Sequence, residues 1–393
     1  MYPEQLIDEV KSNSKTPLQM QIESYQRAFL AGIKANMHEE DKVSRINCLP
    51  VGTFPTQYKK LYLKGGEHEK DMVDLSTVNV PILKQWGRYK RAIKELEKWL
   101  KTTKETAIVL VYTQYLPYMK ALSLLKKKYR NLRVCVIVTD LPKEWGLESG
   151  REGSMKKAED QMGNQSLELL KAMDAFVLLT EAMKEVIDFG EKPYLVLEGM
   201  ILPKHSDKNS ETFIKKSPVV LYTGTLNESL GIVELMEAFE LIPNVELWIC
   251  GGGIIQNKVE QKSRMQKNIR YLGCVSQQEA VSLQQKADVL INPRMPKDAF
   301  TRYSFPSKTL EYMRSGKPVL CYKLEGIPNE YDKYLQYISD MTPKGIADSI
   351  NEILSYTESE RKGIGERAKH FIETKKTPEV QGKRLMDFLR ELK

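Results

Sequence analysis

Residues 289–322 read VLINPRMPKDAFTRYSFPSKTLEYMRSGKPVLCY. The apolar run Val289–Asn292 reads as a buried strand, and a loop carries the chain on to Pro306. A helix is expected over Lys308–Arg314. Gly316 stops it, and Pro318 leads into a second strand over Val319–Tyr322. Strand, covering helix and strand in so short a span form a parallel crossover, the unit of an α/β sheet.

Outward from this stretch the alternation continues. Upstream, strands are expected at Val219–Thr223, Val245–Cys250 and Ile269–Leu272, with helices at Ile232–Leu241, Lys258–Gln266 and Gln277–Lys286. Downstream come two helices, near Lys344–Ser355 and Ser359–Ile372. An earlier block repeats the scheme, with strands at Ala107–Val111, Leu132–Val138, Ala175–Leu179 and Tyr194–Leu197. Its helices are expected at Tyr118–Tyr129, Ser166–Ala172 and Glu181–Ile187. Between the blocks, residues 203–218 (PKHSDKNSETFIKKSP) are polar and bounded by prolines, as a linker would be.

The pattern predicts an α/β protein of two doubly wound, Rossmann-like domains, whose ligands sit at the carboxyl ends of the strands in a cleft between them. Expected boundaries are 1–200, a linker at 201–217, 218–375, and a last helix in 376–393. The first hundred residues fit this scheme poorly. They open on a helix-like run, Leu18–Ile33, and the first strand candidate is Arg45–Leu49. Gly65-Gly66 is an isolated pair, and no phosphate-cradling loop is evident. Two readings stay open here: a real departure, or a missing first strand.

The 393 residues suit two domains, at about 100–200 residues each. No apolar run approaches the roughly 20 residues that span a bilayer, and Met-Tyr-Pro-Glu-Gln does not begin a secretory signal. Five scattered cysteines, an odd number without paired spacing, are read as buried reduced thiols of a cytoplasmic protein. The four histidines lack metal-ligand spacing, so no metal is expected. The net charge of +8 is concentrated locally, with eight basic residues in 84–104 and six in 120–133. Three readings are open to these stretches: nucleic acid, an anionic membrane surface, or a solvated helix face of snorkelling lysines. Nucleic acid is disfavoured because aromatic residues are not interleaved as a stacking platform requires.

Three segments carry candidate chemistry. Val219–Thr223 runs into Gly224-Thr225-Leu226 before a helix, which presents backbone N–H groups to an anion, although any Rossmann-like domain has such turns. Gly251-Gly252-Gly253 permits close backbone approach to a ligand, or is a tight turn. In the opening stretch, Ser307 is expected to cap the helix carrying Glu311. With Lys308 and Arg294 it makes a diphosphate cradle, and Glu311 is placed to accept from ribose hydroxyls. Read alone, Ser-Lys-x-x-Glu is also a plain capped helix start.

Gly224-Thr225-Leu226, the glycine run and Phe-Pro-Ser-Lys-Thr-Leu-Glu-Tyr-Met-x-Ser-Gly-Lys-Pro-Val resemble the C-terminal domain of the family 4 (glycosyl transferases group 1) enzymes. Asp140-Leu141-Pro142, Leu178-Leu179-Thr180-Glu181 and Leu197-Glu198-Gly199 look like a bacterial subgroup making capsular or exopolysaccharide. The resemblance runs from about Ala107 to the C-terminus and is densest over 219–322. It implies a GT-B fold whose last helix, around Val380–Leu392, crosses back to the N-terminal domain. It also implies a retaining, metal-independent transfer from a nucleotide-sugar, with a UDP-sugar favoured, to a glycan or lipid-linked acceptor at the inner face of the membrane. Donor contacts are then expected at Gly224, Thr225, Gly251, Gly252, Gly253, Ser304, Phe305, Pro306, Ser307, Thr309 and Glu311. Arg294 and Lys308 are expected to serve catalysis, and Gln114 and Asp140 the acceptor side.

The chain departs from the family pattern at defined positions. Of the two glutamates usual eight positions apart, the second matches Glu311, but Tyr303 occupies the first. The usual arginine and lysine after the first C-terminal strand fall at Thr225 and about Leu230. No histidine follows the second N-terminal strand. The missing opening strand, Tyr303 and Thr225 motivate one rival, a non-catalytic GT-B partner subunit of another transferase; a second rival is epimerisation or phosphorolysis on the same fold. No Asp-x-Asp pair is present, which disfavours a metal-dependent, single-domain transferase.

Overall fold

Parallel strands covered on both faces need continuous apolar runs, and the runs in this chain form strands where they are longest. The computed structural model describes residues 1–16, 18, 20–139, 141, 154–202, 216–297 and 299–393. The chain divides into two units, one of Met1–Leu202 with Pro378–Lys393 and one of Pro203–Thr377.

The first unit opens with α1 (Ile7–Asn13) and α2 (Met20–Ala35). Five short strands follow: β1 (Arg45–Asn47), β2 (Tyr62–Leu63), β3 (Gly66–Glu69), β4 (Met72–Asp74) and β5 (Thr77–Val78). β1 pairs in parallel with β4, which pairs antiparallel with β3, while β2 and β5 form their own antiparallel ribbon. The doubtful opening therefore contains a strand at Arg45. It belongs to a small separate sheet rather than to the main one.

After α3 (Pro81–Thr102) come β6 (Ala107–Tyr112), α4 (Leu116–Lys128), β7 (Leu132–Val138), α5 (Ser154–Leu170), β8 (Ala175–Leu178) and β9 (Tyr194–Val196). Strands β6 to β9 lie side by side in sequence order, all parallel. The helix expected at Glu181–Ile187 is a single 3-10 turn, Glu181–Glu185, and Ser166–Leu170 is only the end of α5.

The second unit contains β10 (Val219–Thr223), α6 (Ile232–Leu241), β11 (Glu246–Cys250), α7 (Gln256–Met265), β12 (Ile269–Tyr271) and α8 (Gln277–Lys286). Then come β13 (Val289–Asn292), α9 (Lys308–Arg314), β14 (Val319–Cys321), β15 (Gln336–Tyr337), α10 (Pro343–Ser355) and α11 (Glu358–Lys375). Its six-stranded parallel sheet has the order β12-β11-β10-β13-β14-β15. Counted within the unit this is 3-2-1-4-5-6, the doubly wound order whose direction reverses between β10 and β13. The short β15 completes the edge and is not apparent from hydropathy.

The last helix, α12 (Pro378–Arg390), returns to the first unit and packs on α2. The helices touch at Gly32 and Gly382: a Cβ on Gly382 would lie 2.4 Å from the Gly32 carbonyl oxygen. Leu385, Met386, Phe388 and Leu389 enter the core with Phe29, Cys135, Ile137 and Val177. Arg384 and Gln381 donate to the carbonyls of Val196 and Gly199 at 3.1 and 3.2 Å. The five cysteines are free, but not all are buried: Cys48 is half-buried and Cys274 exposed, because Cys274 lies on a loop beyond β12.

Candidate functional site

In a doubly wound sheet the loops diverge where the strand order reverses, which leaves a crevice at the carboxyl ends. Here the diverging loops follow β10 and β13. The Gly224 N–H donates to the Cys250 carbonyl at 2.9 Å, and the Leu226 N–H to that of Gly252 at 3.0 Å. A Cβ on Gly251, which holds φ +137°, would lie 1.7 Å from the Gly224 carbonyl oxygen. One on Gly253 would lie 2.2 Å from that of Leu226. Gly251 and Gly253 thus let two carboxyl-end loops lie backbone against backbone. The side chain of Thr225 is exposed on this platform, and its carbonyl accepts from the Tyr222 hydroxyl at 2.7 Å. Gly231, at φ +74°, has room only for hydrogen against the Pro293 carbonyl (2.1 Å), so the loop after β10 also rests on the one after β13.

Helix α9 is keyed to this floor by a residue that sequence reading passed over. Tyr312 is fully buried. Its hydroxyl accepts from the Thr223 N–H at 2.8 Å and donates to the Thr223 carbonyl at 3.0 Å. Both backbone groups at the end of β10 are satisfied from α9, which fixes the helix rotation that presents Lys308 and Glu311. Glu311 accepts from the Gln284 amide at 2.8 Å and from the Lys308 ammonium at 3.1 Å. Burial opposes its ionisation, but Lys308, the Gln284 amide and Arg314 outweigh it and hold the carboxyl below the usual glutamate value. Burial raises the Cys250 thiol to about 11, with the Lys308 charge opposing it. Gln284 is a second residue missed: its helix was legible, its aim across to α9 was not.

Several expected contacts take other roles. Ser307 does not cap α9: its backbone is already helical (φ −53°, ψ −28°), its hydroxyl makes no capping bond, and the Pro306 carbonyl accepts from the Thr309 N–H at 2.8 Å. Phe305, Pro306 and Thr309 are buried, so their side chains serve the core rather than an open surface. Phe305 packs on Tyr331 with centroids 5.5 Å apart. Arg294 stacks over the Phe300 ring at 4.3 Å and donates to the Ser304 hydroxyl at 2.5 Å, which in turn donates to the Phe300 carbonyl at 3.1 Å. Arg294 and Ser304 therefore bind each other and brace their own loop. Tyr303 is half-buried under Arg302, whose guanidinium grips Glu325 at 2.7 and 2.8 Å.

A pocket of about 320 Å³ opens beside this platform, lined by Glu228, Ser229, Val233, Glu234, Lys258 and Lys297. Neither Lys308 nor Glu311 lines it. Its lysines are engaged, Lys258 with Glu228 and Lys297 with Glu234, both at 3.0 Å. Lys297 lies inside the stretch read first and is a cation the motif did not single out.

In the first unit, Gln114 is wholly buried, so it does not present its amide to an acceptor. It accepts from the Thr113 hydroxyl at 3.2 Å. Thr113 holds φ +60°, an uncommon conformation for a β-branched residue, at the carboxyl end of β6. Asp140, with Pro142, lies outside the described residues. The basic stretch on α3 is divided. Lys84 and Arg88 fall on the buried stripe with Ala92, Leu96 and Leu100. The Lys84 ammonium donates to the Val51 carbonyl at 2.6 Å, and Arg88 to the Leu49 carbonyl at 2.7 Å and the Tyr115 hydroxyl at 2.8 Å. Burial, then Arg88, lowers Lys84 from 10.5 to about 7.

Residues 203–371 match the family described as Glycosyl transferases group 1. No curated protein matches the chain in sequence. In fold the chain is similar to sucrose-phosphate synthase from Thermosynechococcus elongatus, with TM-score 0.67 and 13% identity over 97% of this chain and 95% of that one. It is similar also to the α,α-trehalose-phosphate synthase (UDP-forming) from Burkholderia xenovorans in complex with glucose-6-phosphate (TM-score 0.58, 12% identity, 88% and 90% covered). A third likeness is to trehalose-6-phosphate from E. coli bound with UDP-2-fluoro glucose (TM-score 0.63, 11% identity, 94% and 96% covered). The fold is therefore the GT-B α/β fold, and with the family match it supports a glycosyltransferase enzyme. Among the described residues no helix is long and apolar enough to cross a membrane.

Proposed function

We propose that this protein is a retaining glycosyltransferase of family 4 type, moving a sugar from a UDP-sugar to a glycan or lipid-linked acceptor in bacterial capsular or exopolysaccharide assembly. The observation that carries the reading is the Gln284–Glu311–Lys308 cluster, held at the sheet's switch point by Tyr312 in the span that matches the family. Lys308 meets the diphosphate and stabilises the charge that grows on it as the sugar acquires oxocarbenium character. Glu311, ionised and oriented by Gln284, accepts from the ribose hydroxyls. Arg294 acts through its loop, bracing 294–304 against the diphosphate side, and Gly224 and Thr225 offer backbone to the same group.

A uridine donor is favoured by two relatives of the same fold, one UDP-forming and one bound with UDP-2-fluoro glucose. The complex with glucose-6-phosphate favours a second acceptor reading, a sugar phosphate. Thermal shift against UDP, GDP, ADP, CDP and dTDP separates the nucleotides, because a ligand bound to the folded state raises its melting temperature. Product analysis with labelled UDP-sugars then reads the acceptor and the anomeric configuration. Lys308→Ala is expected to lower turnover far more than it lowers the melting temperature. No stabilisation by any nucleotide, or turnover unchanged in Lys308→Ala, refutes the site.

A further inference from the structure

The outward face of α3 remains unaccounted for. Its first turns expose Ile82 (83%), Leu83 (52%) and Trp86 (60%) on one side of the helix. Three more large apolar side chains are exposed on the adjoining ribbon: Leu61, Tyr62 and Val78, with Tyr62 and Val78 directly paired across it. The Asn79 N–H donates to the Leu61 carbonyl at 2.6 Å, which ties the ribbon to the start of the helix. Beyond Trp86 the exposed side of α3 turns basic: Lys90, Lys94, Lys98 and Lys101 all face solvent. Glu97, the acid nearest that side, is paired with Lys128 of α4 at 2.6 Å. Lys90 leans over the Trp86 and Tyr89 rings at 5.8 and 5.9 Å.

We propose that this face docks the protein on an anionic lipid bilayer, with Ile82, Leu83 and Trp86 entering the boundary between headgroups and acyl chains and Lys90, Lys94, Lys98 and Lys101 lying along the phosphates. The division of the helix suits that occupant. Tryptophan and tyrosine settle at headgroup level, while lysines extend their ammonium groups to the phosphates. From Trp86 to Lys98 the helix rises about 18 Å, so one helix lying along the surface serves both contacts. A second copy of the chain is a poor occupant, because a two-fold contact centred on this face would bury the lysine row either against its own image or against the apolar turns, with no exposed acid on α3 to pair it. A protein partner is disfavoured too, since lysine is depleted where interfaces are fully buried. Lys84 and Arg88, which a count of charges assigns to the same patch, point inward and take no part.

The inference is independent of the transferase reading, since vesicle binding needs neither donor nor acceptor. The full chain would be co-sedimented with vesicles of phosphatidylcholine containing phosphatidylglycerol, and with phosphatidylcholine alone. Binding to the anionic vesicles is expected, weakening as salt is raised. Ile82→Ser/Trp86→Ser should lower partitioning by at least about tenfold, given the apolar area withdrawn, and Lys94→Glu/Lys98→Glu should remove the preference for anionic lipid. Circular dichroism checks that these exposed substitutions leave the fold intact. Equal binding to neutral vesicles, no binding, or undiminished binding by the Ile82/Trp86 variant overturns the proposal. So does a dimer in sedimentation that the same variant converts to monomer, because the face then serves a second copy.

Discussion

Glu311→Gln keeps the shape of the side chain and removes its charge, and the effect can be worked out from its neighbours. The carboxylate accepts from Gln284 and Lys308 at 2.8 and 3.1 Å, and its side chain is 19% exposed. Hydrogen bonds to a charged group contribute about 1.5–3 kcal/mol, against about 0.5–1.5 for a neutral pair. Two ribose hydroxyls donating to glutamine instead of glutamate therefore lose about 2–3 kcal/mol together. Since about 1.4 kcal/mol is tenfold, UDP affinity should fall roughly 30- to 150-fold. Titration calorimetry with UDP and with its 2′,3′-dideoxy analogue makes the cycle: the loss should vanish for the analogue, which has no hydroxyls to donate. Equal losses for both ligands, or none, would refute the ribose assignment and leave Glu311 as the partner of Lys308 alone. Because the carboxyl is held below its usual value, wild-type affinity should be flat from pH 6 to pH 8 on its account.

Three further outcomes follow from the packing. Tyr312→Phe withdraws one hydroxyl from two backbone groups of Thr223 and should cost about 2–3 kcal/mol in urea unfolding, with nucleotide affinity falling as α9 loosens; a loss below about 0.5 kcal/mol would contradict the tether. Lys84 binds fewer protons in the folded state than in the unfolded chain between about pH 7 and 10.5. The stability burying it costs should therefore be regained as pH rises through that window, by on the order of 4–5 kcal/mol at most. Lys84→Met removes that slope, and parallel melting profiles for the two proteins would count against it. Ser307→Ala should leave stability unchanged within about 0.5 kcal/mol, because no cap is lost, whereas a working cap would cost about 1 kcal/mol.

Apolar spacing and turn residues are local properties, and from Ala107 onward they were enough to place most strands and helices, the α/β class and the stretch around Lys308 and Glu311. In the first hundred residues the strands are two to four residues long, too short to carry a period, and the sequence left their pairing open. Within the site, the meeting of Tyr312 with Thr223, of Gln284 with Glu311 and of Gly251 with Gly224 joins residues separated by a turn of the sheet or more. Such contacts depend on strand order, and strand order has no local signature. Ser307 and Arg294 differ for a local reason, the path of the backbone: Ser307 is already helical and makes no capping bond, and the loop folds Phe300 and Ser304 onto Arg294. On α3 the alphabet alone counts eight like charges in 84–104. Only packing decides that Lys84 and Arg88 turn inward, where they donate to the carbonyls of Leu49, Val51 and Gly52. Local chemistry therefore determined the elements and the candidate string, while the tertiary structure decided which of its side chains remain free to meet a ligand.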